Sequence, residues 1–284
     1  MTQKLIALDM DGTLLTSDKT LTPTNKQAIR DAQTAGHVVM ICSGRPHEPL
    51  IEYLASEGLA DLPLSASNGT ITLVDGNIID TVGMDRAIAN QVITWLIDNN
   101  YPVNLYTDKG VYGQRDFLTH AKRESEHFPP TDPTEGHSVE MLAEYLSRSV
   151  RVYFDTFADL PDELVIFKLF VYTPDPAKKS AFEAYATGQG AVTVTSSYPN
   201  NVEVSDARGH KGAGLIAVAN HYGIDIAHTV AMGDNYNDTG MLQTAGLAIA
   251  MGNAEDPIKQ MAHVVTLSND EDGVAHAINT YVLA

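Results

Sequence analysis

The 284-residue sequence predicts a doubly wound parallel α/β sheet carrying an inserted α+β domain, and three observations lead there. Short, uniformly apolar runs alternate with helix-type segments from Leu5 to Ser67. The same alternation returns from Lys211 to the C-terminus. Between them the pattern changes to hairpins and shorter strands. Strands that read as continuous apolar runs are buried on both faces, which is how parallel sheets covered by helices look in sequence.

Leu5 to Leu8 is the first such run. Thr22 then offers a capping hydroxyl, Pro23 suits the first helical position, and Ala28, Ile29, Ala32 and Ala35 form an apolar face that Gly36 closes. Val38 to Cys42 reads as a strand, Pro49 to Leu59 as a helix and Leu64 to Ser67 as a short strand. Ile71 to Val74 and Ile78 to Asp80 flank an Asp75-Gly76 turn and read as a hairpin. A helix over 85–99 places Ile88, Val92, Trp95 and Leu96 at helical spacing. Val103 to Tyr106 and Val111 to Tyr112 follow as strands, and 127–137, with three prolines and a glycine, reads as loop. A strand from Val165 to Tyr172, a helix over 174–187 and strands over 191–195 and 202–205 complete the insertion.

The parallel alternation resumes with a helix from Lys211 to Tyr222 and a strand from Thr229 to Met232. Helices over 238–245, 256–262 and 271–282 alternate with strands at Ala248 to Ala250 and over 263–266. Residues 1–83 and 207–284 are thus the expected core, and 84–206 the expected insertion.

Hydrophobic residues make up 44% and charged residues 19%, an ordinary globular composition. Lys plus Arg number 18 against 36 Asp plus Glu, a formal net charge of −18 that argues against nucleic-acid or anionic-membrane partners. The same field repels phosphate, so a phosphate site here needs a local cation. The longest apolar runs, near 166–172 and 245–251, are too short to span a bilayer. Met1 to Lys4 leads into a strand without signal-peptide features, and the lone Cys42 excludes an intramolecular disulfide. A cytoplasmic monomer or homodimer is expected.

Four segments carry chemistry. Asp9-Met10-Asp11-Gly12-Thr13 follows the first strand, so two carboxylates leave it together and a glycine lets the backbone turn over a ligand. Such a pair in a negative protein repels unless a cation or proton lies between. Ser43-Gly44-Arg45 follows the second strand and offers a hydroxyl and loop N–H groups to a phosphate oxygen, although a Ser-Gly turn alone is common. Gly209-His210-Lys211-Gly212 leads into an apolar helix and supplies a point charge. Gly233-Asp234-Asn235-Tyr236-Asn237-Asp238 follows a strand with two carboxylates and two amides, an oxygen-rich set that suits Mg²⁺. A calcium loop competes, but Tyr236 interrupts the ligand spacing and the closing glutamate is missing.

In this order the four segments resemble the motifs of the haloacid dehalogenase-like (HAD) phosphatase superfamily, across the whole chain. The long insertion and Ser67-Asn68-Gly69 resemble its Cof-type sugar-phosphatase subfamily. The resemblance implies a Rossmann-like core with a mobile cap that excludes water and selects substrate. It implies Asp9 as nucleophile, with an aspartyl-phosphate intermediate, and Asp11 as general acid and then general base. Mg²⁺ would be held by Asp9, the Asp11 carbonyl and Asp234. Met10, Gly12, Ser43, Gly44, Lys211 and Asn237 would bind the phosphoryl group, with Lys211 catalytic through its charge. Asp238 would support Lys211 or a metal-bound water. The implied substrates are small phosphate monoesters, sugar phosphates first, with flavin mononucleotide or pyridoxal phosphate open. A phosphomutase and a sugar-phosphate-binding regulator are the alternatives.

Other residues receive plainer readings. His47 and His210 flank motifs, as surface residues or in contact with substrate, and Arg45 either contacts substrate or forms an ion pair. Cys42 reads as a buried small hydrophobe. Tyr106, Tyr112, Lys168 and Tyr198 are candidates for the cap surface that faces the substrate. No Gly-x-Ser-x-Gly elbow, phosphate-loop Gly-Lys-Ser/Thr or His-Glu-x-x-His string occurs.

Overall fold

The computed structural model describes residues 2–128, 138–196 and 199–284. Tyr198, and the expected loop from residue 129 onward, lie outside the described residues. The chain divides into two compact units, Met1–Thr81 with Gly209–Ala284, and Val82–Arg208.

In chain order the first segment gives β1 (Leu5–Asp9), α1 (Pro23–Thr34), β2 (Val38–Cys42), α2 (His47–Ser56), β3 (Leu64–Ala66), β4 (Ile71–Val74) and β5 (Asn77–Thr81). Thr22 caps α1 by accepting the Asn25 N–H at 3.1 Å, with Pro23 in the first turn as its fixed φ allows. Helix α2 starts two residues earlier than the sequence suggested. Pro49 sits in its first turn, where a missing N–H costs no helical hydrogen bond.

The second unit contains α3 (Arg86–Asp98), β6 (Val103–Thr107), β7 (Gly110–Gln114), α4 (Phe117–His127), α5 (Val139–Ser149), β8 (Val150–Phe154), β9 (Ile166–Tyr172), α6 (Pro176–Thr187), β10 (Val192–Thr195) and β11 (Asn201–Asp206). The first unit resumes with α7 (Lys211–Tyr222), β12 (Thr229–Gly233), α8 (Thr239–Thr244), β13 (Leu247–Ala250), α9 (Asp256–Met261), β14 (Val264–Val265) and α10 (Gly273–Tyr281).

The first unit holds an eight-stranded sheet in the order β14-β13-β12-β1-β2-β3-β4-β5. It is parallel from β14 to β3, and the β4–β5 hairpin extends it antiparallel. The doubly wound parallel sheet expected from sequence is present. All five residues of β1 are buried, flanked by β12 and β2. Leu5, Ala7, Met40 and Ala231 pack with Leu215 and Val218 of α7. At about 1.5–3 kcal/mol for each large apolar side chain removed from water, this layer holds α7, and with it Lys211, against the sheet.

In the second unit a six-stranded sheet runs β10-β11-β9-β6-β7-β8, antiparallel except for the parallel β7–β8 pair. Leu105, Leu169, Val171, Val202 and Val204 pack with Val92, Ile93 and Leu96 of α3 and Phe182 of α6. Phe170 and Tyr172 pack instead with Phe117, Ala121, Leu142 and Leu146 of α4 and α5. Trp95 packs against the α3–α6 side and stacks on Tyr185 at 4.4 Å, a core role as its spacing suggested. Among the described residues no helix is long and apolar enough to cross a membrane.

Candidate active site

Parallel register brings the chemistry together. Asp9, the last residue of β1, is paired with Cys42 at the end of β2, and Leu8 lies opposite Met232 of β12. The segments that follow these strands leave the same edge of the sheet, where open α/β folds take their ligands. Helix α7 begins at Lys211, whose side chain is completely buried.

Lys211 links two of these segments. Its ammonium donates to Asp9 Oδ1 at 2.5 Å and to Asp238 Oδ1 at 2.6 Å. The second Asp238 oxygen, Oδ2, accepts the N–H groups of Asp234 and Asn235, each at 2.9 Å. Asp238 therefore holds both the lysine and its own loop. Carboxylate oxygens of Asp9, Asp234 and Asp238 lie within 4.8 Å of one another. Asp9 and Asp234, each accepting a single side-chain donor, are better placed than Asp238 to hold a cation.

Their electrostatics agree. Burial first, and then the Asp238 charge, push the Asp9 carboxyl well above the ordinary range despite the pull of Lys211. Burial likewise raises Asp234, while the Thr13 hydroxyl, donating at 2.8 Å, pulls the other way. Burial, with the Asp238 charge added, disfavours both ionised carboxylates, and a bound cation would favour them. Their all-oxygen donor set is the kind that binds a hard dication such as Mg²⁺. Gly12, at φ +89°, makes the close approach feasible, since a Cβ there would lie 2.4 Å from Asp234 Oδ2.

Asp11 takes a different place. Its carboxylate is held by Arg45, Nε to Oδ2 and Nη2 to Oδ1, both at 2.8 Å, and by Lys19 at 3.0 Å. Partial burial would raise its pKa, but these cationic donors outweigh it and leave the group below its usual value. Of the two readings given to Arg45, the ion pair is the one present. The Asp11 carboxylate is outside the cluster formed by Asp9, Asp234 and Asp238.

Ser43 Oγ accepts the Arg45 N–H at 3.2 Å, which shapes the turn at Gly44. Asn237 Nδ2 donates to Asn68 Oδ1 at 3.2 Å. Met10 is fully buried, and its carbonyl accepts the N–H groups of Thr13 and Leu15, folding the loop back behind Asp9. Cys42 is buried and its thiol is pushed up to about 12, chiefly by burial, so it offers no thiolate at neutral pH. His210 caps α7 by accepting the Ala213 N–H at 3.2 Å. His47 opens α2, and burial lowers its pKa.

Sequence reasoning missed Asn253. Its Nδ2 donates to the Gly12 carbonyl at 2.8 Å and its Oδ1 accepts the Asn269 N–H at 3.0 Å, while Asn269 holds the Leu15 carbonyl at 2.9 Å. The available signal was Gly252-Asn253 just past an apolar strand. In the second unit Lys168 and Glu203 form a buried pair at 3.0 Å, with the Lys168 ammonium 4.9 Å from the Tyr106 ring centroid. Tyr112 is buried in the α3–α6 cluster.

A family model of haloacid dehalogenase-like hydrolases matches residues 6–278. The chain belongs to that family. It is 32% identical over 279 residues to the phosphatase YwpJ of Bacillus subtilis, covering 96% of this chain and 98% of that protein. It is 30% identical to the 5-amino-6-(5-phospho-D-ribitylamino)uracil phosphatase YwtE of the same organism, covering 97% of each. A solved haloacid dehalogenase-like hydrolase from B. subtilis superposes with a TM-score of 0.78 at 30% identity, over 99% of this chain and all of the other. The family resemblance drawn from the four motifs is thereby borne out.

Proposed function

We propose that this hydrolase is a Mg²⁺-dependent phosphatase acting on small phosphate monoesters through an aspartyl-phosphate on Asp9. The observation that carries the reading is the buried Lys211 ammonium held between Asp9 and Asp238 at the edge of a parallel sheet. A carboxylate needs no adjacent base to become a nucleophile, only relief from repulsion by its anionic target. Mg²⁺ at Asp9, Asp234 and the Asp11 carbonyl would supply positive charge that complements Lys211.

Asp9 would attack phosphorus as the ester P–O bond breaks, and the departing alkoxide would take a proton from Asp11. The resulting Asp11 carboxylate would then accept a proton from water. The water oxygen would attack the phosphoryl group, releasing inorganic phosphate and restoring Asp9. Ser43, Gly44, Met10, Gly12, Lys211 and Asn237 are the proposed donors to the phosphoryl oxygens, and residues 82–208 the proposed cap. Sugar phosphates lead as substrates. The phosphorylated ribityl chain in the name of one relative's substrate supports a polyol phosphate.

As held by Arg45, Asp11 is prepared for the base step and must gain a proton for the acid step. Arg45→Met removes the stronger of the two cationic partners that lower its pKa and leaves Lys19, so the Asp11-controlled inflection in the pH–rate profile is expected to move to higher pH. An unmoved inflection would refute that role for Arg45. The function itself is tested by phosphate release from a panel of sugar, nucleotide and cofactor phosphates, with Mg²⁺ and after chelation. Release that requires the metal supports the reading. Isomerisation of a hexose phosphate without release would replace it with a mutase.

A further inference from the structure

The turn after β3 is strained, and it meets three of the four motif segments. Ser67, Asn68 and Gly69 have φ values of +48°, +56° and +89°, three left-handed residues in succession. Serine is uncommon in that region and stays there where surrounding structure holds it, whereas asparagine enters it more readily. Here the Ser67 N–H donates to the Arg45 carbonyl at 2.8 Å, and the Asn68 N–H to the Ser43 carbonyl at 3.0 Å. On the other side Gly69 is pressed against the start of α7, where a Cβ would lie 2.1 Å from the His210 carbonyl oxygen. Asn68 Oδ1 accepts Asn237 Nδ2 at 3.2 Å, and a Cβ on Gly44 would lie 3.0 Å from that same oxygen.

We propose that Asn68 is a positioning residue of the phosphoryl site, fixing the Asn237 carboxamide beside the Gly44 turn before the ligand arrives. This inference rests on the phosphatase reading above. Neutral donors gain most from being fixed in advance, because a mobile carboxamide has to be ordered on binding. The backbone of 67–69, tied to the Ser43 and Lys211 segments, provides that rigidity. Asn68 acts through Asn237 and need not touch the substrate.

Orthovanadate binding to the Mg²⁺-loaded protein, measured by calorimetry, tests this without turnover. Glycine adopts the φ of residue 68 without strain, so Asn68→Gly keeps the fold, checked by its thermal midpoint. It is expected to weaken vanadate about tenfold in the wild-type background and by less than about twofold in Asn237→Ala, since coupled residues are not additive. Asn68→Asp also tolerates this backbone and keeps an oxygen toward Asn237. Asn237→Ala should therefore weaken binding when combined with Asn68→Asp but not when combined with Asn68→Gly. Equal effects of Asn237→Ala in both combinations, or an Asn68→Gly protein that binds like wild type, would overturn the inference alone. Wild-type protein that binds no vanadate would overturn it together with the phosphatase reading.

Discussion

Asp9→Asn is expected to abolish turnover without weakening the fold. The amide has no anionic oxygen to attack phosphorus, so kcat should fall at least about 10⁴-fold, roughly 5 kcal/mol of lost transition-state stabilisation. Stability should move the other way. The Asp9 carboxyl is raised because burial and the neighbouring Asp238 and Asp234 charges disfavour its ionised form. A neutral amide of the same shape removes that repulsion, while Lys211 keeps Asp238 as a partner at 2.6 Å. The metal-free variant should therefore unfold at a temperature equal to or above that of metal-free wild type, an instance of function held at a cost in stability. Scanning calorimetry and phosphate release on one preparation check both halves. Loss of activity with a fall of several degrees would mean that Asp9 is needed for folding. Activity above about one per cent of wild type would exclude it as nucleophile.

Much of this site could be read from residue order because parallel strands deliver consecutive motifs to one edge. Asp9, Ser43, Lys211 and Asp234 are distant in sequence, yet each follows or faces an apolar run that can only be a buried strand or helix. The core was legible for the same reason, down to the Thr22-Pro23 start of α1. Side-chain pairing was not. Arg45 could serve substrate or an ion pair equally well in sequence, and only the structure names Asp11 as its partner. Asn253 stayed hidden because its role depends on the Gly12 carbonyl, a backbone group with no signature of its own.

The sequence reading assigned no element to α4, α5 or β8. Helix α4 buries only Phe117, Ala121 and Glu124, too narrow a stripe to stand out, and Glu124 is a carboxylate paired with Lys178 at 2.5 Å. Strand β8 leaves Val152 and Tyr153 exposed in succession, so its burial does not follow a clean inward–outward alternation.

Lys211→Met should produce the larger structural effect. Methionine fills a similar volume but leaves Asp9 and Asp238 buried without their shared cation, and breaking a buried pair in this way costs about 3–5 kcal/mol. On the proposed role of Lys211 at the phosphoryl oxygens, catalysis should also fall by roughly 10²–10³-fold or more. The pH dependence separates the two proteins. Burial alone would lower the Lys211 pKa, but Asp238 and Asp9 together raise it above the ordinary lysine value. A raised lysine contributes stability fully below its unfolded pKa, about 10.4, and loses it only as pH climbs through the folded value. Across neutral pH the wild-type ammonium therefore does not titrate. In Lys211→Met the carboxylate repulsion has no counter-charge. A carboxyl whose folded pKa exceeds its unfolded value of about 4 binds more protons when folded, so stability falls as pH rises between the two. Urea titrations from pH 5 to pH 8 should thus show the variant losing stability more steeply than wild type, with the gap narrowing in acid. A deficit independent of pH would point to lost packing around the side chain and would remove the charge argument for Lys211.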